Sequence, residues 1–296
     1  MTSYVRHASH ANSWYSAVPG KLESEISSWL ETGSLQCNST PCNRVAGIIA
    51  PHAGFSYSGS TAAFAYSKVD PKSIRTVFIL GPSHHYFLKG CAVTNATEYA
   101  TPLGNIPIDR DVTMEVKRLL GDDLCETMDQ SIDEEEHSIE MQLPFVAHFL
   151  KRNSEIKLVP LLIGSLSPEV EERVGLTLSH YVARKDVLFI VSSDFCHWGS
   201  RFRFQYYNPD DGPIFESIQK LDKLGMDTIE ARDPDAFTSY LRKYKNTICG
   251  RHPINVFLHA SRTFPFKIQF VKYAQSSSCQ SMRDSSVSYA AAIVTE

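Results

Sequence analysis

Short runs that are apolar at every position recur along the chain, and each ends abruptly in a polar loop. Val45-Ala46-Gly47-Ile48-Ile49-Ala50 runs into Pro51-His52-Ala53-Gly54. Thr76-Val77-Phe78-Ile79-Leu80 runs into Gly81-Pro82-Ser83-His84-His85. Val187-Leu188-Phe189-Ile190-Val191 runs into Ser192-Ser193-Asp194-Phe195-Cys196-His197-Trp198. A fourth run, Leu158 to Ile163, ends at Gly164 without a reactive group. Such runs suit strands buried on both faces. Between them lie stripes at helical spacing: Leu22, Ile26, Trp29 and Leu30; Val112, Val116 and Leu119; Ile214, Ile218 and Leu221. Ser167 as cap and Pro168 at the first position open a helix with Val170, Val174, Leu178 and Tyr181 inward. Asp233-Pro234 opens another, with Phe237, Tyr240, Leu241 and Tyr244 inward. Phe266 to Phe270 alternates and Val287 to Val294 is a small-residue strand, so both read as antiparallel additions to the sheet.

Alternating strands and helices predict an α/β fold with a mixed, mostly parallel sheet flanked by helices. No repeat, linker or charge block divides residues 1–296, so a single domain is expected. In such folds the site lies outside the carboxyl ends of the strands. His52, His84 or His85, and Asp194 with His197 follow three strand ends and so share one rim.

Composition narrows the reading. A net charge of -4 argues against a nucleic-acid partner held by a basic surface. No apolar run reaches membrane-span length, and the start has no apolar signal core, so no transmembrane segment or secretory signal is expected. The 7 cysteines include no CxxC pair, which points to free thiols in a reducing cytosol. Cys37 and Cys42 read as loop thiols. GxGxxG after a strand, GxxxxGK[ST], GxSxG and HExxH are absent, which removes the commonest nucleotide, serine-hydrolase and zincin readings.

Rim histidines on rigid strand ends suit metal ligation, which needs neutral imidazoles in fixed directions. Neighbouring side chains in an extended segment point opposite ways, so one of His84 and His85 faces the site, and local pattern does not choose between them. If a turn or helix starts at Asp194, it and His197 face the same way. Cys249 precedes Gly250 and the helix that Pro253 opens, and it can serve as soft ligand or nucleophile. The acidic run Asp133 to Glu136 reads as a solvated face. Ser138 reads as a helix cap, and His137 beside it as a second candidate for substrate contact.

PHAGFSYSG, ILGPSHH, DEEEHSIEMQLPF, VSSDFCHWG, TICGRHP and YAQSSSC followed by DSSVSYAA, taken in order, resemble the Memo family. Memo denotes a mediator of receptor-tyrosine-kinase-driven cell motility. The similarity runs from His10 to the last strand, and Cys249 resembles the eukaryotic branch. The resemblance implies a fold similar to class III extradiol dioxygenases, with His52 and His84 as metal ligands. It implies His197 as the acid/base residue, with Asp194 beside it. Cys249 stands where those enzymes carry a carboxylate, which favours softer metals and puts ring-opening in doubt. What the resemblance implies is an intracellular signalling protein with an iron(II) or copper site. Roles in motility, cytoskeletal organisation and reactive-oxygen regulation go with it. Phosphopeptides of receptor tyrosine kinases and Rho-type GTPase signalling proteins are the implied partners. Trp14 and Tyr57 match aromatic positions of a peptide groove. The cytoplasm is the implied location, with the nucleus as a second compartment. A metal-dependent dioxygenase or other oxidoreductase, and a metal-free phosphotyrosine-peptide module, are the alternatives; a Cys249 hydrolase is the least favoured.

Overall fold

A computed structural model of the chain describes residues 3–36 and 44–296. Its strands are β1 Tyr4–Arg6, β2 Val45–Ala50, β3 Thr76–Pro82, β4 Cys91–Val93, β5 Ala96–Tyr99 and β6 Ile106–Pro107. They continue with β7 Cys125–Thr127, β8 Lys157–Ile163, β9 Val187–Ser192, β10 His197–Trp198, β11 Lys267–Gln275 and β12 Ser286–Thr295. The helices are α1 Pro19–Gln36, α2 Phe55–Tyr66, α3 Arg110–Leu120, α4 Gln130–Glu135 and α5 His137–Glu140. After them come α6 Leu143–Leu150, α7 Pro168–Val182, α8 Ile214–Glu230, α9 Pro234–Tyr244 and α10 Arg251–Ser261.

The large sheet runs β10-β12-β2-β9-β3-β8-β4-β7, with β11 paired to the free side of β12. Its centre, β2-β9-β3-β8, is parallel. The pairs β11-β12, β12-β2 and β4-β8 are antiparallel. The α/β reading with antiparallel additions thus matches the fold. A small sheet, β1-β5-β6, lies outside the sequence expectation.

The unbroken apolar runs follow from a sheet covered on both sides. In β3, Val77 and Ile79 join the core against α1, α2 and α6, while Phe78 and Leu80 join the core against α7 to α10. Successive side chains point to opposite faces, so both sets must be apolar. In α3 the expected face is off by one at its end. Leu119 is 40% exposed and Leu120 is fully buried. Val112, Val116 and Leu120 keep a spacing of four, which continues one face.

The acidic run is not a solvated face. Asp133, Glu136 and Glu140 are buried. Arg6, itself without exposed surface, donates from Nε to Asp133 Oδ1 at 3.2 Å and from Nη1 to Glu140 Oε2 at 2.7 Å. Tyr99 and Tyr15 donate to the same two carboxylates, at 2.6 and 2.7 Å. This cluster fastens the N-terminal segment, including Trp14, to α4 and α5. The free thiols are Cys91, Cys125, Cys196, Cys249 and Cys279 among the described residues, which do not include Cys37 and Cys42. No helix among them is long and apolar enough to cross a membrane.

Removing one partner of a buried ion pair strands the other charge, so Arg6→Met should cost ~3–5 kcal/mol in urea melts. Burial alone would raise the Glu140 carboxyl, but the His10 hydrogen bond and the Arg6 charge lower it to about 2. Its stabilising contribution is therefore complete above its unfolded value of ~4.3 and is lost as pH falls towards about 2. Acid unfolding followed by circular dichroism should be less steep over that window in Glu140→Gln.

Candidate functional site

The parallel strands β2, β3 and β9 deliver His52, His84 and the Ser192–Asp194 turn to one end of the sheet. The N-terminus of α10 brings Cys249 to the same place. The donor atoms of His52, His84 and Cys249 all lie within 4.8 Å of one another. Cys249 Sγ is 3.1 Å from His52 Nε2 and receives the Asp194 backbone N–H at 3.2 Å. His52 is buried, Cys249 half-buried, and the His84 side chain 26% exposed, so the site opens to solvent on the His84 side.

The far nitrogen of each imidazole is already engaged. The Ser192 hydroxyl donates to Ser138 O at 2.7 Å, so at 2.8 Å it must accept from His52 Nδ1. His52 is therefore the Nδ1–H tautomer, with the Nε2 lone pair facing Cys249. Glu136 takes the His84 backbone N–H at 2.7 Å and His84 Nδ1 at 2.9 Å. It also accepts from Ser138 N at 2.8 Å and caps α5. The expected cap, Ser138, instead lies inside that helix and donates to Pro82 O at 2.8 Å. An N-cap acceptor must precede the amides it meets, and Glu136 holds that place.

Burial pushes His52 well below the ordinary imidazole value, and the nearby His84, His137 and His197 add to this. Burial works against the His84 cation too, but hydrogen bonds to Cys249 and Glu136 raise it to about 10. Burial raises the Glu136 carboxyl, yet its bonds and proximity to His84 bring it down to about 2. His137 is lowered to about 3 by burial and by the His84 charge.

The remaining candidates fall into two groups. His137 stacks on His84 at 4.4 Å and Trp14 packs on His137 at 4.5 Å, so both form the site wall. His137 Nδ1 is buried without a hydrogen bond, 3.5 Å from Glu136 Oε1. With His84 and Glu136 it makes a second compact donor group. His85 is exposed, edge-on to His137 at 5.7 Å. Tyr57, on the first turn of α2, is 62% exposed. Gly54 separates it from Trp14: a Cβ there would lie 3.5 Å from Trp14 O and 3.9 Å from the Tyr57 ring.

Asp194 and His197 do not share a helical face, because residues 193–196 form no helix and His197 starts β10. Asp194 Oδ1 accepts the His52 backbone N–H at 2.8 Å. Burial raises its carboxyl, against the pull of His197 and these amides. His197 Nδ1 donates to Phe195 O and Thr247 O at 2.9 and 3.0 Å, which leaves Nε2 as its acceptor. The helix after Cys249 starts at Arg251 with Gly250 as cap, and Pro253 lies within its first turn. Sequence reasoning missed Ser192, Gln142, Glu136 and Glu140 as the residues that hold the site. The string E-H-S-I-E-M-Q carried three of them in one short segment.

A family model described as Memo-like protein matches residues 6–293. The chain belongs to the Memo family. It is 47% identical over 295 residues to protein MEMO1 of Xenopus laevis, covering 98% of this chain and 97% of that one. Against protein MEMO1 of Homo sapiens it is 46% identical over 296 residues, with 98% and 97% covered. It is 41% identical over 298 residues to a memo-1 homolog of Caenorhabditis elegans, covering 98% and 83%. A solved structure of an uncharacterized protein from Escherichia coli K12 matches with a TM-score of 0.52 at 12% identity. It covers 82% of this chain and 98% of its own, and shows a shared fold. The family expectation from the six motifs thus agrees with these matches.

Gly250 sets the approach of the Memo-family Cys249 loop to β9. A Cβ there would stand 2.5 Å from Ser192 O and collide with the Ser193 side chain. Gly250→Ala should therefore push the loop off the strand end and lower stability by ~1–3 kcal/mol. Denaturant melts would measure the loss, and faster labelling of Cys249 by a thiol reagent would report the opened loop.

Proposed function

We propose that this Memo-family protein acts in intracellular signalling, as one domain over residues 1–296, through a rim site for a redox metal. The ligands are His52, His84 and Cys249, and the ion is iron(II) or copper. One observation carries the reading: three donor atoms of the types these metals prefer lie within 4.8 Å, on side chains already oriented by Ser192 and Glu136. Metal-bound histidines characteristically give their other N–H to such partners. The donor chemistry suits the ions: two imidazoles and a thiolate favour copper or iron over magnesium or calcium. One-electron exchange is the chemistry that such an ion supplies.

In this reading Asp194 fixes the His52 backbone, by accepting its N–H at Oδ1, and the Cys249 thiol, by donating its own backbone N–H to Sγ. His197 offers Nε2 as a proton acceptor if a substrate is turned over. The thiol in place of a carboxylate weighs against ring-opening oxygenation. Cytoplasmic localisation, receptor-kinase phosphopeptides and Rho-type GTPase proteins as partners belong to the same proposal. A metal-free peptide-binding module is the second reading. It is favoured by Trp14 packed at a tilt on His137 with Tyr57 exposed.

Elemental analysis of protein purified without oxygen tests the metal reading. About one iron or copper per chain is expected, lost in Cys249→Ser and in His52→Ala, since three ligands define the site. Stoichiometric metal persisting in both variants would reject these ligands. No metal after anaerobic loading would transfer the proposal to the peptide module. That module would then have to bind a phosphotyrosine peptide and lose it in Trp14→Ala.

A further inference from the structure

A carboxyl group without a cation lies beneath the segment that carries Cys249. Asp222, on α8, has no exposed surface and forms no salt bridge among the described residues. Buried charges are ordinarily paired, so this one is held by neutral donors alone. Its Oδ1 accepts from Cys196 N at 3.2 Å and from Asn246 Nδ2 at 2.9 Å, and its Oδ2 accepts from the Tyr273 hydroxyl at 2.9 Å. The Ser288 hydroxyl of β12 is a further neighbour. Tyr273 from β11, Tyr240 from α9 and Cys196 ahead of β10 are the titratable groups that face it. Burial holds all three well above their ordinary values, so they are uncharged at neutral pH.

The cover over Asp222 is uneven. Tyr273 and Ser288 stand on paired strands, and Tyr240 stands on a helix. Residues 245–248 belong to no helix or strand, Lys245 is exposed, and Thr247 and Cys249 are half-buried. Asn246 is held through Nδ2 alone, by Asp222 and by the Tyr240 hydroxyl at 2.8 Å, because its Oδ1 is buried without a partner. Thr247 adds two bonds to His197. Irregular segments with few bonds open at the lowest free energy, so lifting this stretch is the cheapest way for water to reach Asp222.

Burial pushes the Asp222 carboxyl up to about 6, against the pull of Ser288, Asn246 and Tyr273. Once wetted by opening, a carboxyl of this type returns toward its ordinary value of ~3.9. The closed state therefore holds the proton more tightly than the open one. Protonation favours closure, and that gain is complete below ~3.9 and is lost as pH rises through about 6.

We propose that Asp222 is a proton-sensitive latch on the segment that presents Cys249. Protonated, it keeps residues 245–249 down on α8. Ionised, it draws water and favours their lifting, which uncovers the thiol. The latch sets when Cys249 is available as a ligand, and for that use it rests on the rim reading.

Labelling of Cys249 by a pyridyl disulfide in the full chain, read by peptide mass spectrometry with a chelator present, tests the latch whether or not the rim binds a metal. Asp222→Asn keeps the shape of the neutral carboxyl, with one acceptor and one donor end. The ratio of wild-type to Asp222→Asn labelling rates should rise about tenfold between about pH 5 and about pH 7.5, and it cancels the titration of the thiol, which both chains share. A ratio that stays flat would leave Asp222 a structural residue only and overturn the proposal, as would a ratio that falls with pH. Hydrogen exchange in the wild-type chain gives the same answer should the variant not fold. The Asp194 amide is held by Cys249 Sγ and the Gly250 amide by Ser193 Oγ, so both are freed when the segment lifts. Their protection, corrected for intrinsic exchange, should fall about tenfold over the same range while that of Phe78 in β3 holds. Protection of both amides independent of pH would reject the latch.

Discussion

The Ser192 hydroxyl has one proton, and the geometry around the rim depends on where it goes. It goes to the Ser138 carbonyl, so the same oxygen can only accept from His52 Nδ1 and from Gln142 Nε2, at 2.8 and 2.9 Å. That order fixes the tautomer of His52 and turns its lone pair toward Cys249. Gln142 is completed by Tyr66, which donates to its Oε1 at 2.7 Å, and by Pro51 O, which accepts from its Nε2 at 3.1 Å. The ends of β2 and β9, the first turn after α5, and α2 are thereby joined by groups that have no water to fall back on. A neutral hydrogen bond is worth only ~1 kcal/mol net, but a stranded buried partner costs ~1–3 kcal/mol, so the set holds together or fails together.

Most of the fold was legible because the sheet is covered on both faces. Full burial makes every strand position apolar, and that pattern survives in the sequence without knowledge of any partner. β2, β3, β8 and β9 were readable for this reason, and so was the rim that their carboxyl ends create. The acidic run was not, because its partner is remote. Asp133 and Glu140 meet Arg6 from more than a hundred residues away. A run of carboxylates looks solvated until a buried guanidinium is found for it. The small β1-β5-β6 sheet was hidden likewise: its strands are two to four residues long, too short to show a period.

The histidine doublet shows the same limit within the site. Extended geometry says that only one of His84 and His85 faces inward, and nothing adjacent says which. Glu136 makes the choice, taking both the backbone N–H and Nδ1 of His84 from 52 positions away. Family resemblance supplied that answer where local pattern had none. Asp194 and His197 were legible as site residues by position, but their geometry was not. The segment after β9 forms no helical turn because Phe195 N donates to Ser288 O and Ser288 N of β12 donates to Cys196 O, which ties it to β12.

The segment from Asn246 to Gly250 connects the two faces of this rim. Asn246 is tied to Asp222, which also accepts the Cys196 N–H at 3.2 Å. Thr247 Oγ1 accepts from His197 N at 2.8 Å and donates to His197 O at 3.0 Å. Gly250 N donates to Ser193 Oγ at 3.0 Å. Cys249 thus sits on backbone pinned at both ends, and its thiol reaches His52 without help from an ion. The ordering cost of the donor set is met in folding, which is the condition for tight capture of a ligand by a preformed site.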